Sequence, residues 1–357
     1  MKIYKKIFVL FFATLLSCST AISGWAKEAV SNTATDIGVS KDYDYYLKYG
    51  TPDLLMAPDT QELRNLFSKN IEGREDRRAS ISIKTFDIPA NIDEPDIIQD
   101  DIAADDISAL KDVLDLYADQ SDIKATDNNG TADNSKATVD NRVRVNGAIT
   151  PFNGICLLQC WYSNGGRKYG TGFLVNGTHV VTAAHCILDP VLGYVTNIDV
   201  IPGGSDLNSS VSGSYAVSAV IPTEYINTRV DGVGDVGVDI GILTLAKSYS
   251  SLYQYTYRNE SNTVIENGTY FICGFPEDTV LGTMWADFKG KILGTGSTNY
   301  GSYVALQNYT IVGGNSGGPL TNYDTIRVNG VLSRKIGPYD YATKIDADLA
   351  YFIIMNT

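Results

Sequence analysis

Basic residues are scarce in this 357-residue chain: 28 Lys and Arg stand against 41 Asp and Glu, for a net charge of −13. A nucleic-acid binder with a broad basic face is thereby excluded, because nothing would neutralise phosphates at scale. Long apolar runs are scarce too. The run from Ile7 to Leu16 falls well short of the roughly 20 residues a membrane-spanning helix needs, and no later segment reaches that length. Histidine occurs only twice and cysteine five times. The pair in Cys156-Leu-Leu-Gln-Cys160 has no second pair and no neighbouring histidine, which argues against a zinc site. What the chain does have is 44% hydrophobic residues, enough for a sizeable core, and a length that suggests two or three units.

Lys2, Lys5 and Lys6 precede the apolar run, and small residues up to Ala26 follow it. This order is that of a secretory signal over residues 1–26, cleaved after Ala26. A lipid on Cys18, in Leu15-Leu16-Ser17-Cys18, is the alternative. Residues 27–142 hold 25 acidic against 13 basic residues and so carry most of the net charge. Within them Ile107, Leu110, Leu114 and Tyr117 recur at helical spacing, which predicts a helix over Asp105–Ala118. A polar, aperiodic linker runs over 126–142. An acidic segment and a cleavable linker ahead of a main domain read as a pro-segment; a solvated stalk is the competing reading.

From Val143 to Thr357 the texture changes to short β-like runs separated by Gly, Asn and Asp. Gly154–Tyr162, Gly170–Val175, Val180–Ala183, Ile240–Leu245, Tyr270–Cys273, Tyr303–Leu306 and Val328–Leu332 are the expected strands. Such spacing argues for an all-β sandwich or barrel, and the length suits two small barrels packed together.

Three motifs in this region carry chemistry. Val180-Val-Thr-Ala-Ala-His-Cys186 ends a strand on His185. Val238-Asp-Ile-Gly-Ile-Leu-Thr-Leu245 opens an apolar run with Asp239, and Gly313-Gly-Asn-Ser-Gly-Gly-Pro-Leu320 brackets Ser316 with glycines. Singly each has a bland reading, but together they supply the parts of acyl transfer. A serine needs an adjacent base, a histidine can take and return the proton, and a carboxylate orients and stabilises the imidazolium. The backbone N–H groups of Gly314 and Ser316 are the candidate oxyanion donors. Gly314-Asn-Ser-Gly-Gly318 also fits a nucleophile elbow, in which the order runs Ser, acid, His. Both histidines, His179 and His185, precede Ser316, so that arrangement lacks its base. The order His185, Asp239, Ser316 fits the two-barrel arrangement instead.

Thr-Ala-Ala-His-Cys, Asp-Ile-Gly-Ile-Leu and Gly-Asn-Ser-Gly-Gly-Pro together resemble the signature blocks of chymotrypsin-like serine endopeptidases. Asn315, Asp140-Asn-Arg-Val-Arg-Val145, Gly274-Phe-Pro-Glu and Trp285 make the resemblance closer to the bacterial glutamyl endopeptidases. It covers Val143 to the C-terminus. It implies two packed six-stranded antiparallel β-barrels with the site between them, and a supporting role for Ser333 beside the catalytic Asp. It also implies that no metal or organic cofactor is needed. Two departures limit what carries over. Asn315 is neutral where trypsin has the Asp that pairs with the new amino terminus. Ile311 and Leu332 stand where the glutamyl branch has a threonine and a histidine, so glutamate preference does not transfer. Thr310, Ile311, Leu332, Arg334, Lys335 and Asp340 form the candidate specificity pocket, with Arg334 and Lys335 favouring acidic residues, Asp340 basic ones, and a solvated rim as the bland alternative.

Four cysteines remain after the signal, and they allow three pairings. The resemblance suggests a bridge from Cys186 to Cys156 or Cys160. Arg142 and Arg144 are the expected maturation points for a second, trypsin-like protease. The chain is thus expected to be a secreted, monomeric serine endopeptidase made as a precursor and acting on proteins or peptides. The rival is an inactive binding protein of the same fold.

Overall fold

The computed structural model describes residues 81–88, 104–127, 140–206, 213–229 and 234–357. The signal, the lipid-box cysteine and most of the linker lie outside them.

In chain order the strands are β1 (Ser82–Phe86), β2 (Val143–Val145), β3 (Ile155–Tyr162), β4 (Arg167–Asn176), β5 (His179–Thr182), β6 (Leu188–Asp189), β7 (Gly193–Pro202), β8 (Ser214–Pro222) and β9 (Gly241–Leu245). They continue with β10 (Tyr270–Gly274), β11 (Met284–Asp287), β12 (Lys291–Ser297), β13 (Ser302–Gln307), β14 (Pro319–Asn322), β15 (Val328–Ile336) and β16 (Tyr339–Lys344). Among the described residues the α-helices are α1 (Ala104–Asp127), α2 (Ala184–Ile187), α3 (Thr223–Asn227), α4 (Asn262–Asn267) and α5 (Ala347–Met355). The strands expected from the turn signals are present, with ends shifted by a few residues.

Two sheets follow from this order. In the first, β8-β9-β5-β4-β3-β7 closes on itself through a β7–β8 pair, giving a six-stranded antiparallel barrel, with β1 and β6 added outside the ring. The second runs β12-β13-β16-β15-β14-β10-β11-β2, eight strands, all antiparallel. Strand β3 is buried along nearly its whole length, as a strand packed on both faces must be. The apolar core runs continuously from Leu157, Phe173 and Ile242 in the first sheet to Phe271, Val328 and Val331 in the second. A smaller cluster around Ile272, Val304, Leu306 and Leu332 fills the far side of the second sheet.

Two pieces of the N-terminal acidic segment, 81–88 and 104–127, pack against this body. The β7–β8 closure is only two residue pairs long, Asp199 with Tyr215 and Val200 with Ser214. Beyond it β1 lies parallel against Ser218–Pro222, and the Ile81 amide donates to the Thr196 carbonyl of β7 at 2.9 Å. β1 therefore occupies the seam where the barrel's own strands part. Phe86 then meets Phe352 of α5 edge-on, at 5.7 Å between ring centroids.

The helix expected over Asp105–Ala118 is longer, Ala104–Asp127, and uses the anticipated face. Leu114 is fully buried and Leu110 nearly so. Tyr117 packs edge-on against Phe152, and its hydroxyl accepts from the Asn146 amide at 3.2 Å. Lys111 pairs with Asp324 at 2.8 Å, and Asp115 accepts from the Tyr323 hydroxyl.

One expectation is corrected. Cys156, Cys160, Cys186 and Cys273 are four separate buried thiols, so no bridge joins Cys186 to Cys156 or Cys160. Cys156 and Cys160 sit in the packed interior of β3, while the Cys186 thiol points at the Ser316 carbonyl, 3.8 Å away. Burial pushes the thiols of Cys156, Cys160 and Cys273 well above their ordinary range, which leaves them protonated and unreactive. Arg142, expected as a maturation point, is only 6% exposed and is held by Asp140 and Asp278 at 2.8 and 2.7 Å. Arg144 sits mid-strand in β2, opposite Trp285 of β11.

Candidate active site

β5 pairs with β4 on one side and β9 on the other, and its apolar residues Val180 and Val181 are fully buried. The strand passes through Ala183 into the single turn of α2, which carries His185 at the barrel's end. Asp239 arrives at the same end from the neighbouring strand. It follows a 3₁₀ turn, Val236–Val238, fixed by Asp235, whose carboxylate accepts from the Gly237 amide at 2.7 Å. Asp239 is fully buried and grips His185 twice. Its Oδ2 lies 2.8 Å from His185 Nδ1, and its Oδ1 accepts the His185 backbone N–H at 3.0 Å. Ser333 Oγ donates to the same Oδ2 at 2.5 Å. Burial alone would raise the Asp239 pKa, but the His185 ring, the Arg334 charge and the Ser333 hydroxyl overturn that and hold it well below the usual carboxylate range.

Ser316 comes from the second sheet, on the turn before β14. Gly314 has φ +87°, and a Cβ there would lie 2.1 Å from the Phe275 carbonyl oxygen. Gly317 has φ +82°, and its Cβ would meet Thr182 Oγ1 at 2.1 Å. Both positions thus require glycine for backbone angle and for space. Asn315 is buried and turns its side chain into its own loop, where Oδ1 accepts the Val312 amide at 3.2 Å.

Three residues join this turn to the first sheet and to β15. The Thr171 amide donates to the Ser316 carbonyl at 2.8 Å, its hydroxyl donates to the Gly314 carbonyl at 2.7 Å, and its own carbonyl accepts from Thr182 Oγ1 at 2.7 Å. Cys186, the residue after His185, lies against the Ser316 carbonyl. Ser333 links both halves: its hydroxyl serves Asp239 and its carbonyl accepts from Ser316 Oγ at 3.5 Å. The turn's path is locked further by Gly317 and Leu332, whose amides donate to the Leu332 and Gly318 carbonyls at 2.8 Å each. Thr171 was not singled out from the sequence, and a threonine in a Thr-Gly strand pair gives no signal of such a role.

The six candidate pocket residues scatter. Leu332 is core, 1% exposed among Ile272, Leu306 and Ala342, and Ile311 packs half-buried against the same cluster. Arg334 turns toward Asp239, with Nη2 at 3.6 Å from Oδ2. Thr310, Lys335 and Asp340 do share a cavity, of about 480 Å³, with Lys289, Gln307 and Tyr309. Lys335 faces Asp340 across the β15–β16 ladder and is exposed, whereas Asp340 is buried, and that burial raises its pKa to about 6 against the opposing pull of Lys335. Among the described residues no three His, Cys, Asp or Glu side chains gather as a metal site.

The closed six-stranded antiparallel barrel beside a second antiparallel sheet, with His185 and Asp239 at the end of the first and Ser316 on a glycine turn of the second, is a trypsin-like fold. Residues 170–331 match the family model of the trypsin-like peptidase domain. The chain is 30% identical over 154 residues to an extracellular metalloprotease of Bacillus subtilis, covering 42% of this chain and 47% of that protein. It is 28% identical over 160 residues to a glutamyl endopeptidase of Bacillus licheniformis, covering 44% and 47%. It therefore spans about half the length of the curated relatives it matches. Among solved structures, a Glu endopeptidase in complex with MPD superposes with a TM-score of 0.51 at 20% identity, covering 61% of this chain and 97% of that one. This likeness supports the fold, a trypsin-like one resembling the glutamyl endopeptidases.

Proposed function

We propose that this chain is a secreted serine endopeptidase made as a precursor, in which Ser316 attacks a peptide carbonyl and His185 takes its proton and returns it to the leaving amine. Asp239 orients His185 and stabilises the imidazolium, and Ser333 supports Asp239. The amides of Gly314 and Ser316 stabilise the oxyanion, and water releases the acyl-enzyme. The observation that carries this reading is the double grip of a fully buried Asp239 on His185, with Ser333 reaching from that carboxylate to Ser316 Oγ. The name of the Bacillus subtilis relative, which is extracellular, and the order of charge and apolarity in residues 1–26 support export.

Two pieces of the acidic segment brace the sheets: β1 lies against β8 of the first, and α1 meets Phe152, Asn146 and Tyr323 beside the second. We place any maturation cut N-terminal to Asp140, because Arg142 is locked in ion pairs and Val143–Val145 is already paired in the second sheet. The test is a fluorophosphonate probe and a mixed peptide library applied to the processed protein, with Ser316→Ala alongside. Labelling and cleavage by the wild type alone support the mechanism; a processed wild type that neither labels nor cuts overturns it. The residue preceding each cut then reports on the cavity lined by Thr310, Lys335 and Asp340.

A further inference from the structure

Two consecutive side chains of β15 reach the same carboxylate oxygen, which a regular strand does not allow. Successive residues of a strand face opposite sides of the sheet. Here the β15–β16 register slips between Leu332, opposite Ala342, and Arg334, opposite Tyr341, so Ser333 is the extra residue of a bulge. Bulges re-aim side chains, and this one brings Ser333 and Arg334 to Asp239 together. Ser333 Oγ lies 2.5 Å from Asp239 Oδ2, Arg334 Nη2 lies 3.6 Å from that same oxygen, and Arg334 Nε is 3.4 Å from Ser333 Oγ. The Arg334 side chain is 9% exposed, and its Nη2 is buried without a hydrogen bond in the protein.

A guanidinium taken this far out of water needs a compensating charge, and Asp239 is the carboxylate within reach. The geometry is that of a charge directed at the oxygen already engaged by His185 Nδ1, and not of a bidentate structural pair. Two effects on the imidazole follow, and they have the same sign. Arg334 offsets part of the negative charge that would stabilise an imidazolium, and it adds a positive charge near that imidazolium. The other groups around the dyad do not reverse this. Tyr225 of α3 is fully buried and its phenol is pushed up by burial, Cys160 of β3 is likewise pushed up, and Cys186 is the neighbouring thiol. Arg229 donates to the Asp189 and Pro190 carbonyls at 3.3 and 3.4 Å, and the buried Lys168 is paired with the Asp189 carboxylate.

We propose that Arg334 is a positioning residue that sets the basicity of His185, keeping its imidazole neutral and able to accept a proton into mildly acidic conditions. The inference rests on His185 being the base, yet its test reads the histidine directly and survives a failure of the endopeptidase reading. The chain has two histidines, so imidazole resonances of the full-length, isotope-labelled protein can be titrated one by one. Removing the charge with Arg334→Gln raises the His185 midpoint by about 0.5–1 pH unit, and Arg334→Met, which fills similar space, does the same. Arg334→Lys, which keeps a cation, shifts it less. His179, on the far end of β5, keeps its midpoint in all variants and reports an intact fold. In active protein the acid limb of kcat/KM moves up with His185. An unchanged His185 midpoint in a folded Gln or Met variant overturns the proposal and reduces Arg334 to packing. Should the wild type fail to label with a fluorophosphonate while the His185 midpoint still shifts, the endopeptidase reading falls and this one stands.

Discussion

His185 and Asp239 leave the ends of two hydrogen-bonded neighbours, β5 and β9, so the ladder that pairs Thr182 with Gly241 also sets the distance between the two side chains. Ser316 has no such ladder at its own position. It sits between two glycines at positive φ, on a turn held by Thr171, Leu332 and Ser333 from other strands. The first sheet thus presents its side chains by regular pairing, and the second presents one by an irregular turn that only glycine can make. Rigid pairing suits an orienting pair, while a turn brings backbone amides and a hydroxyl to one point.

The largest effects should fall on the two halves of this arrangement alike. Ser316→Ala and Asp239→Asn are each expected to lower kcat/KM for peptide cleavage by about 10⁴-fold or more, measured on the processed protein. Retained activity in Asp239→Asn would mean that the first sheet's pair is structural only. Next, Leu114→Ala empties a fully buried site under α1, which braces the second sheet through β2. A loss of about 2–4 kcal/mol is expected, seen as faster amide exchange along α1. Gly317→Ala sharpens the contrast between ladder and turn. Its strain and its collision with Thr182 should cost about 2–3 kcal/mol in urea unfolding, whereas an ordinary exposed strand substitution would cost little.

A smaller effect concerns charge in the second sheet. Asp340 has a folded pKa of about 6, above its unfolded value, so ionising it works against the fold. Asp340→Asn should therefore stabilise the protein at pH 7–8 by about 1–2 kcal/mol, with the gain fading as pH falls through 6 toward 4. Urea midpoints across that range decide it. The smallest expected effect is none: with four separate thiols in the core, a reductant should leave the thermal midpoint unchanged.

Much of the site was legible because strand ends and glycine turns leave marks in sequence. The run Val180–Thr182 announces a buried strand that must stop at His185, and Gly313-Gly-Asn-Ser-Gly-Gly announces a turn. Asp239 was legible as the carboxylate opening an apolar run between His185 and Ser316, and Ser333 through the resemblance. Contacts between distant strands left no such mark. Thr171 holds the serine turn across 145 positions of chain with nothing in its neighbours to show it, and Leu332 looks like a pocket residue until the sheet buries it. Arg334 was read as a pocket charge from its place next to Ser333; the bulge turns it to Asp239 instead. The cysteines misled because spacing says nothing of whether two thiols meet. In the acidic segment the apolar face at Leu110, Leu114 and Tyr117 was legible as a helical repeat, but its packing partners, such as Phe152 and Tyr323, were not.

The seam filled by β1 has a consequence for the order of events at the ribosome. β1 is synthesised more than a hundred residues before β7 and β8, the strands it joins. It must wait through most of the first barrel's synthesis before it can pair. Such a long-range parallel pairing is slow to form, and until it does the half of β8 beyond its two-residue closure is an open edge. The folding chain therefore passes through a stage in which its barrel is closed at one end and adhesive at the other.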